Sequence, residues 1–216
     1  MMRTDLDLGA ITLAKGLHDT REEGVCLLEA AAWLAGAGHT DHPPCVSPVL
    51  GAFGRRLNDL LPDAERQQLK QYLPAMLGTA GDGRDLTRAY LAADWAARTC
   101  LPAWLDLAGM PGHATELQEL EPITSRETAE AARPVIAKAR NAADDAADDA
   151  AAYAAYAAYA AYAATDAAYG VAGAAAYGVA DAAYVADDAE LAPTAALLRA
   201  DAIRLFGTMI TAADHA

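Results

Sequence analysis

The segment AADDAADDAAAYAAYAAYAAYAATDAAYG, residues 142–170, limits the fold more than any other stretch of the chain. Alanine has the best helix propensity of any residue, and its side chain is a single methyl. A run of it forms helix readily but adheres only where a neighbour comes very close. A tyrosine period of three is not the period of a strand, and a long 3₁₀ helix is disfavoured. The segment is therefore read as α-helix. At about 100° per residue, Tyr153, Tyr156, Tyr159 and Tyr162 fan across roughly half of the cylinder instead of forming one stripe. If the helix continued, Tyr169, Tyr177 and Tyr184 would bring five of the seven rings into a sector about 80° wide. Gly170, Gly173 and Gly178 argue against such continuity. A straight helix from 125 to 190 would also exceed about 90 Å. The expectation is a break near Thr165–Gly173 and an antiparallel hairpin. Contacts would lie on more than one flank, with the tyrosine rings supplying most of the adhesion.

The acids of the segment pair Asp144 with Asp148 and Asp145 with Asp149 at i,i+4. On one helix that sets like charges side by side at a cost of a few tenths of a kcal/mol per pair. Two explanations fit: a helix restart near Ala142–Asp145, where acids suit the positive end of the macrodipole, or a carboxylate row imitating DNA phosphates. A solvated face that keeps an Ala-rich helix soluble is the plainer reading. The chain carries a formal net charge of −14. That sign opposes direct nucleic-acid binding, and an anionic membrane surface would repel it too.

The rest of the chain reads as helix with ordinary punctuation. For the first helix, Asp19 or Thr20 is the expected cap, Glu22 and Glu23 fall in the first turn, and Gly36 or Gly38 is the stop. Ser47 followed by Pro48 starts a second helix, with Val49, Phe53, Leu57 and Leu60 inward. Leu69, Tyr72, Leu73 and Leu77 mark a third, broken or kinked at Pro74. Leu86, Tyr90, Leu91, Trp95 and Cys100 mark a fourth, kinked or ended by Pro102. Ser125 caps a long segment with a possible break at Pro134. A closing amphipathic helix presents Leu197, Leu198, Ala202, Leu205, Met209 and Ile210. No stretch alternates with period two, so no strand is expected. The expected organisation is all-α: a compact helical domain over 5–120, an Ala/Tyr/Asp-rich helical stem or hairpin over 125–190, and a closing helix over 194–214.

Several motifs, EEGVCLLEAAAWLAG, DHPPCVSPVLGAFGRRLND, LKQYLPAMLGTAG and ADWAARTCLPAWLDLAG, together with the closing LLRADAIRLFGTMI, resemble a family of uncharacterised proteins from actinobacteria and their phages. The resemblance covers roughly residues 17–110 and 195–211. It implies an all-helical cytoplasmic protein and transfers no catalytic residue.

The sharpest chemical motif is HTDHPPC. His39, His42 and Cys45, with Cys26 on the preceding helix, supply the atom types of a zinc site, although the spacing matches no standard pattern and Pro-Pro stiffens the loop. The plainer reading is a capped turn with Cys45 as a small buried hydrophobe. An odd count of three cysteines without a repeating pattern favours free thiols in a reducing cytoplasm. The amino terminus does not read as a secretory signal, and no segment reads as a membrane span. No phosphate loop, dinucleotide fingerprint or nucleophile elbow occurs, and nothing implies a cofactor. The sequence thus favours a non-enzymatic interaction or assembly protein acting through Ala/Tyr helix faces, on itself or on a protein partner. An acidic mimic of DNA and a metal-dependent enzyme at the His39–Cys45 loop are the alternatives.

Overall fold

A computed structural model describes residues 8–146, 149–166 and 191–212 of the chain. The fold is all-α, with no strand among the described residues. Its elements are α1 (Leu27–Leu34), α2 (Pro48–Leu60), α3 (Asp63–Arg66), a 3₁₀ stretch (Gln67–Tyr72), α4 (Leu73–Met76), α5 (Asp85–Trp95), a π-helical stretch (Ala96–Cys100), α6 (Leu101–Leu107), α7 (Pro111–Gln118), α8 (Arg126–Asp144), α9 (Asp149–Asp166) and α10 (Ala192–Thr211).

Local chemistry sets several boundaries. Ser47 accepts from the Leu50 N–H and Pro48 occupies the first turn, as the sequence reads. Ser125 and Thr128 form a reciprocal cap that opens α8. The first helix begins later than expected. Gly24 sits at φ +152°, outside the helical region, and its backbone lies against the His18 ring. The cap is Cys26, whose sulfur accepts from the Glu29 N–H while the Glu29 carboxylate accepts from the Cys26 N–H. Asp19, Thr20, Glu22 and Glu23 fall in turns ahead of it.

One proline behaves differently from expectation. α8 runs through Pro134, which lies on the exposed face. Water can satisfy the carbonyl that proline leaves without a donor. Pro102 stands in the first turn of α6, which follows α5 through the π-helical stretch. Pro74 lies in the first turn of α4, after the 3₁₀ stretch. Two apolar residues placed inward by periodicity are outward instead, Leu86 at 47% exposure and Leu197 at 70%.

The buried residues form one contiguous core that includes residues of α1, α2, α5, α6, α8, α9 and α10. The described part of the segment 125–190 packs on the helices of 5–120, with contacts on more than one flank. Helix α9 lies against α8 on one side and against α5, the π-helical turn and α6 on the other. Ala150, Ala151, Ala154, Ala155, Ala157, Ala158, Ala160 and Ala161 are all buried. At about 100° per residue those positions span more than half of the helix circumference. A helix with larger side chains all round could not approach two neighbours so closely. Opposite it, α8 offers Ala129, Ala132, Ile136, Ala139 and Ala143.

The closing helix α10 packs on α2, α5 and the α4 region. Phe206 stacks on Phe53 with centroids 6.0 Å apart and meets the edge of Tyr72 at 5.7 Å. The fully buried Arg88 ties this helix down. Its Nε–H donates to the Met209 carbonyl at 3.0 Å, and its Nη atoms donate to Asp82 at 2.8 and 2.6 Å. Asp85 in turn accepts from the Ser47 hydroxyl, joining the α2 cap to the same network.

Candidate functional site

The four residues of the expected metal site are each engaged elsewhere. Cys26 is the α1 cap, and burial pushes its thiol up to about 12, away from the thiolate a metal needs. His42 is an exposed ring against Asp41 at 2.6 Å. Cys45 is half-buried, and its carbonyl accepts from Gly78 and Ala80. The Nε2–H of His39 donates to the His18 carbonyl at 2.8 Å. Among the described residues, no three His, Cys, Asp or Glu side chains gather to hold a metal. The stiff Pro43–Pro44 turn sets His42 outward and Cys45 inward, which corrects the expected His39, His42, Cys45 and Cys26 cluster.

What the loop does assemble is a buried carboxylate cage. Glu29 is fully buried. Its oxygens accept from the Cys26 N–H at 2.7 Å, the His18 N–H at 2.9 Å and the His18 ring Nδ1–H at 2.9 Å. Burial alone would raise its pKa, but these three donors hold it below the usual carboxylate value. The Nε2 of His39 lies 3.8 Å from Glu29 Oε1. The cage closes the 16–40 segment over α1. The Nε2 edge of His18 faces Gly24, where an added Cβ would meet it at 2.7 Å, so no space for a substrate opens there.

The second predicted site is the acidic and tyrosine-rich segment. Helix α8 ends at Asp144, Asp145 is its C-cap, and α9 starts at Asp149. The i,i+4 row would need one continuous helix through 144–149, and among the described residues α8 stops at Asp144. The helix restart lies a few residues beyond the expected place, and it leaves Asp144 and Asp145 at the negative end of α8. Asp148 lies outside the described residues, as do Tyr169, Tyr177 and Tyr184; for Asp149 and Tyr156 only the helical backbone is described. Helices α8 and α9 lie side by side as a hairpin pair. The part of the expected Thr165–Gly173 break beyond Asp166 lies outside the described residues.

The described tyrosines face different surroundings, as their angular fan requires. Tyr153 is half-buried on Trp104, with centroids 5.3 Å apart. Tyr162 is half-buried, with the Arg133 guanidinium over its ring at 5.5 Å. Tyr159 is 53% exposed. The Arg140 guanidinium lies over Tyr159 at 5.1 Å and over Tyr162 at 5.9 Å. The Tyr159 hydroxyl reaches Asp144 Oδ2 by a long hydrogen bond of 3.5 Å. Beside these rings, the eight buried alanines of α9 carry contact of their own, while Tyr153 and Tyr162 pack against the same core.

These contacts gather Arg140, Asp144, Asp145 and Tyr159 at one corner of the α8–α9 hairpin. Arg140 escaped the sequence reading. Its signal was the seven-residue spacing Arg126, Arg133, Arg140, which keeps three guanidinium groups on one face of α8. Among the described residues Arg140 makes no ion pair: one terminal nitrogen donates to Asn141 Oδ1 at 3.2 Å, and its shielded Nε has no acceptor. An open hollow of about 450 Å³ between Gly109–His113, Glu116 and Ala142 lies beside the same hairpin, and its one carboxylate is already paired with Lys138 at 2.6 Å. A smaller one of about 180 Å³ lies at the α2 amino terminus beside His42 and Arg55.

Among the described residues, no helix is long and apolar enough to cross a membrane. No protein-family model, curated protein or solved structure matches the chain.

Proposed function

We propose that this chain is a non-enzymatic helical interaction protein of the cytoplasm, which docks on a protein surface through the exposed corner of its α8–α9 hairpin. The carrying observation is Tyr159, an aromatic ring 53% exposed on a helix that buries eight of its alanines. Its ring is held by Arg140 and its hydroxyl is held by Asp144. Tyrosine and arginine dominate interface hot spots. Two such side chains already held in place lose little rotamer freedom on docking, which lowers the entropic cost of binding. The docking surface is narrower than the tyrosine pattern implies: Tyr153 and Tyr162 are half-buried inside the fold, so Tyr159 is the described ring that reaches outward.

The test is affinity capture from the native host with the wild-type chain and with Tyr159→Ala as baits of equal urea midpoint. Docking through the corner requires that a captured protein be lost with the variant. Retention of the same proteins by both baits would reject this surface.

A further inference from the structure

The carboxyl end of α8 is electrostatically unsatisfied. Its last turn holds no basic residue, while Asp144 and Asp145 are exposed at the negative end of the macrodipole. Neither carboxylate makes an ion pair among the described residues, and one turn earlier Arg140 is a cation without a carboxylate. Both missing partners are present on the same patch, offset by four residues. We infer that the corner binds a second copy of this chain, across a twofold axis that passes between Arg140 and Asp144 beside Tyr159. This rests on the docking reading above and names its partner.

The geometry follows from the helix itself. Positions 140 and 144 are one turn apart, about 6 Å along the axis. Two α8 ends laid antiparallel, with the axis midway, set each Arg140 opposite the other copy's Asp144, so both pairs form at once. That is the self-complementarity a twofold interface requires. Each incoming guanidinium also approaches the carboxyl end of the facing helix, where a cation is favoured. The two Tyr159 rings meet next to the axis and supply the apolar centre that charge pairs alone would lack. Two chains of net charge −14 repel at long range. At physiological ionic strength that repulsion is screened beyond about 8 Å, whereas pairs in contact are screened much less.

The experiment is sedimentation velocity on the whole chain across micromolar concentrations, with charge-exchanged variants. Arg140→Asp sets acid against acid, and Asp144→Arg with Asp145→Arg sets base against base. Each variant alone is expected to weaken self-association by at least about tenfold, equivalent to 1.4 kcal/mol. Mixed in equal amounts, the two are expected to re-form a dimer, because every charge again meets its opposite. Matched circular dichroism and urea midpoints exclude misfolding as the cause. A wild-type chain that stays monomeric overturns the inference, and so does a mixture no more associated than its components. If the wild type is monomeric while capture of another protein still depends on Tyr159, the second-copy inference fails and the docking reading survives. If the wild type is monomeric and capture is also unchanged by Tyr159→Ala, both fail.

Discussion

Removing the Arg88 guanidinium should loosen the closing helix more than any surface change can. The side chain is fully buried, and its charge is met by Asp82 through two hydrogen bonds and by Asp85 at 3.3 Å. Met209 lies in the last turn of α10, where carbonyls have no helical donor, so Arg88 caps that helix from outside. Arg88→Ala strands the Met209 and Thr79 carbonyls, each worth roughly 1–3 kcal/mol when buried without a partner. It also deletes a buried stem worth about 0.8 kcal/mol per methylene. The expected loss is about 3–5 kcal/mol, the range for breaking a buried ion pair. Arg88→Met keeps most of the stem and should recover the packing share only, about 1–2 kcal/mol of that loss. The assay is urea unfolding followed by far-UV circular dichroism. Acid supplies an independent check. The hydrogen bonds from Arg88 hold the Asp82 carboxyl below the usual carboxylate range. A carboxyl with a depressed folded pKa contributes stability above its unfolded value, and that contribution fades as pH falls through the folded one. Wild type should therefore lose stability on that limb faster than Arg88→Met, and the gap between them should shrink as the pH falls through the lowered Asp82 pKa. A loss below about 1 kcal/mol for Arg88→Ala, with no narrowing in acid, would refute the cap and the pair together.

Two further changes probe other parts of the fold. Glu29→Gln presents an amide to three donors and should cost roughly 2 kcal/mol or more. Because the Glu29 pKa is lowered, wild-type stability from this cage should be complete above the ordinary carboxylate range and lost below it, while the variant titrates without that component; parallel pH-stability curves would contradict the cage. Gly207→Ala in α10 should destabilise by about 1 kcal/mol despite a helix-propensity gain of similar size. An added Cβ would meet the Tyr72 ring at 2.7 Å, so a rise in urea midpoint would mean that the ring swings aside freely.

Much of the fold was legible where a residue acts on its own neighbours. Ser47 with Pro48, and Ser125 at the start of α8, cap the helices that their chemistry announces. The inward set Val49, Phe53, Leu57 and Leu60 is buried as its spacing requires. Failures arise where a partner far along the chain decides. Asp19 and Thr20 are good caps by composition, yet Glu29 prefers the amides of Cys26 and His18, and Gly24 shifts the helix start. Leu86 and Leu197 fit their apolar stripes, but nothing in periodicity says which neighbour covers each stripe position. The zinc-like atom set of His39, His42, Cys45 and Cys26 dissolved for the same reason: ligand types were present, but a rigid turn divided their directions.

The Ala/Tyr segment shows how one composition supports two different packings until its neighbours are known. Read alone, alanine offers so little surface that the tyrosines had to be the adhesive. Burial works the other way when a helix is enclosed on two sides. Eight buried methyls at about 0.8 kcal/mol each come to at most about 6.4 kcal/mol, without any large side chain. Those methyls are useful only at close range, and α9 gains that range from α8 on one flank and from α5 and α6 on the other. The tyrosines are then displaced to the margins of the contact: Tyr153 to Trp104, Tyr162 to Arg133, and Tyr159 to the open corner with Arg140. The angular fan of the period-three repeat makes that unequal placement unavoidable, since rings about 60° apart cannot all share one interface. Among the described residues, what the repeat leaves at the surface is therefore Tyr159 beside a guanidinium and two carboxylates that make no ion pair, a patch whose charges are complementary to its own copy.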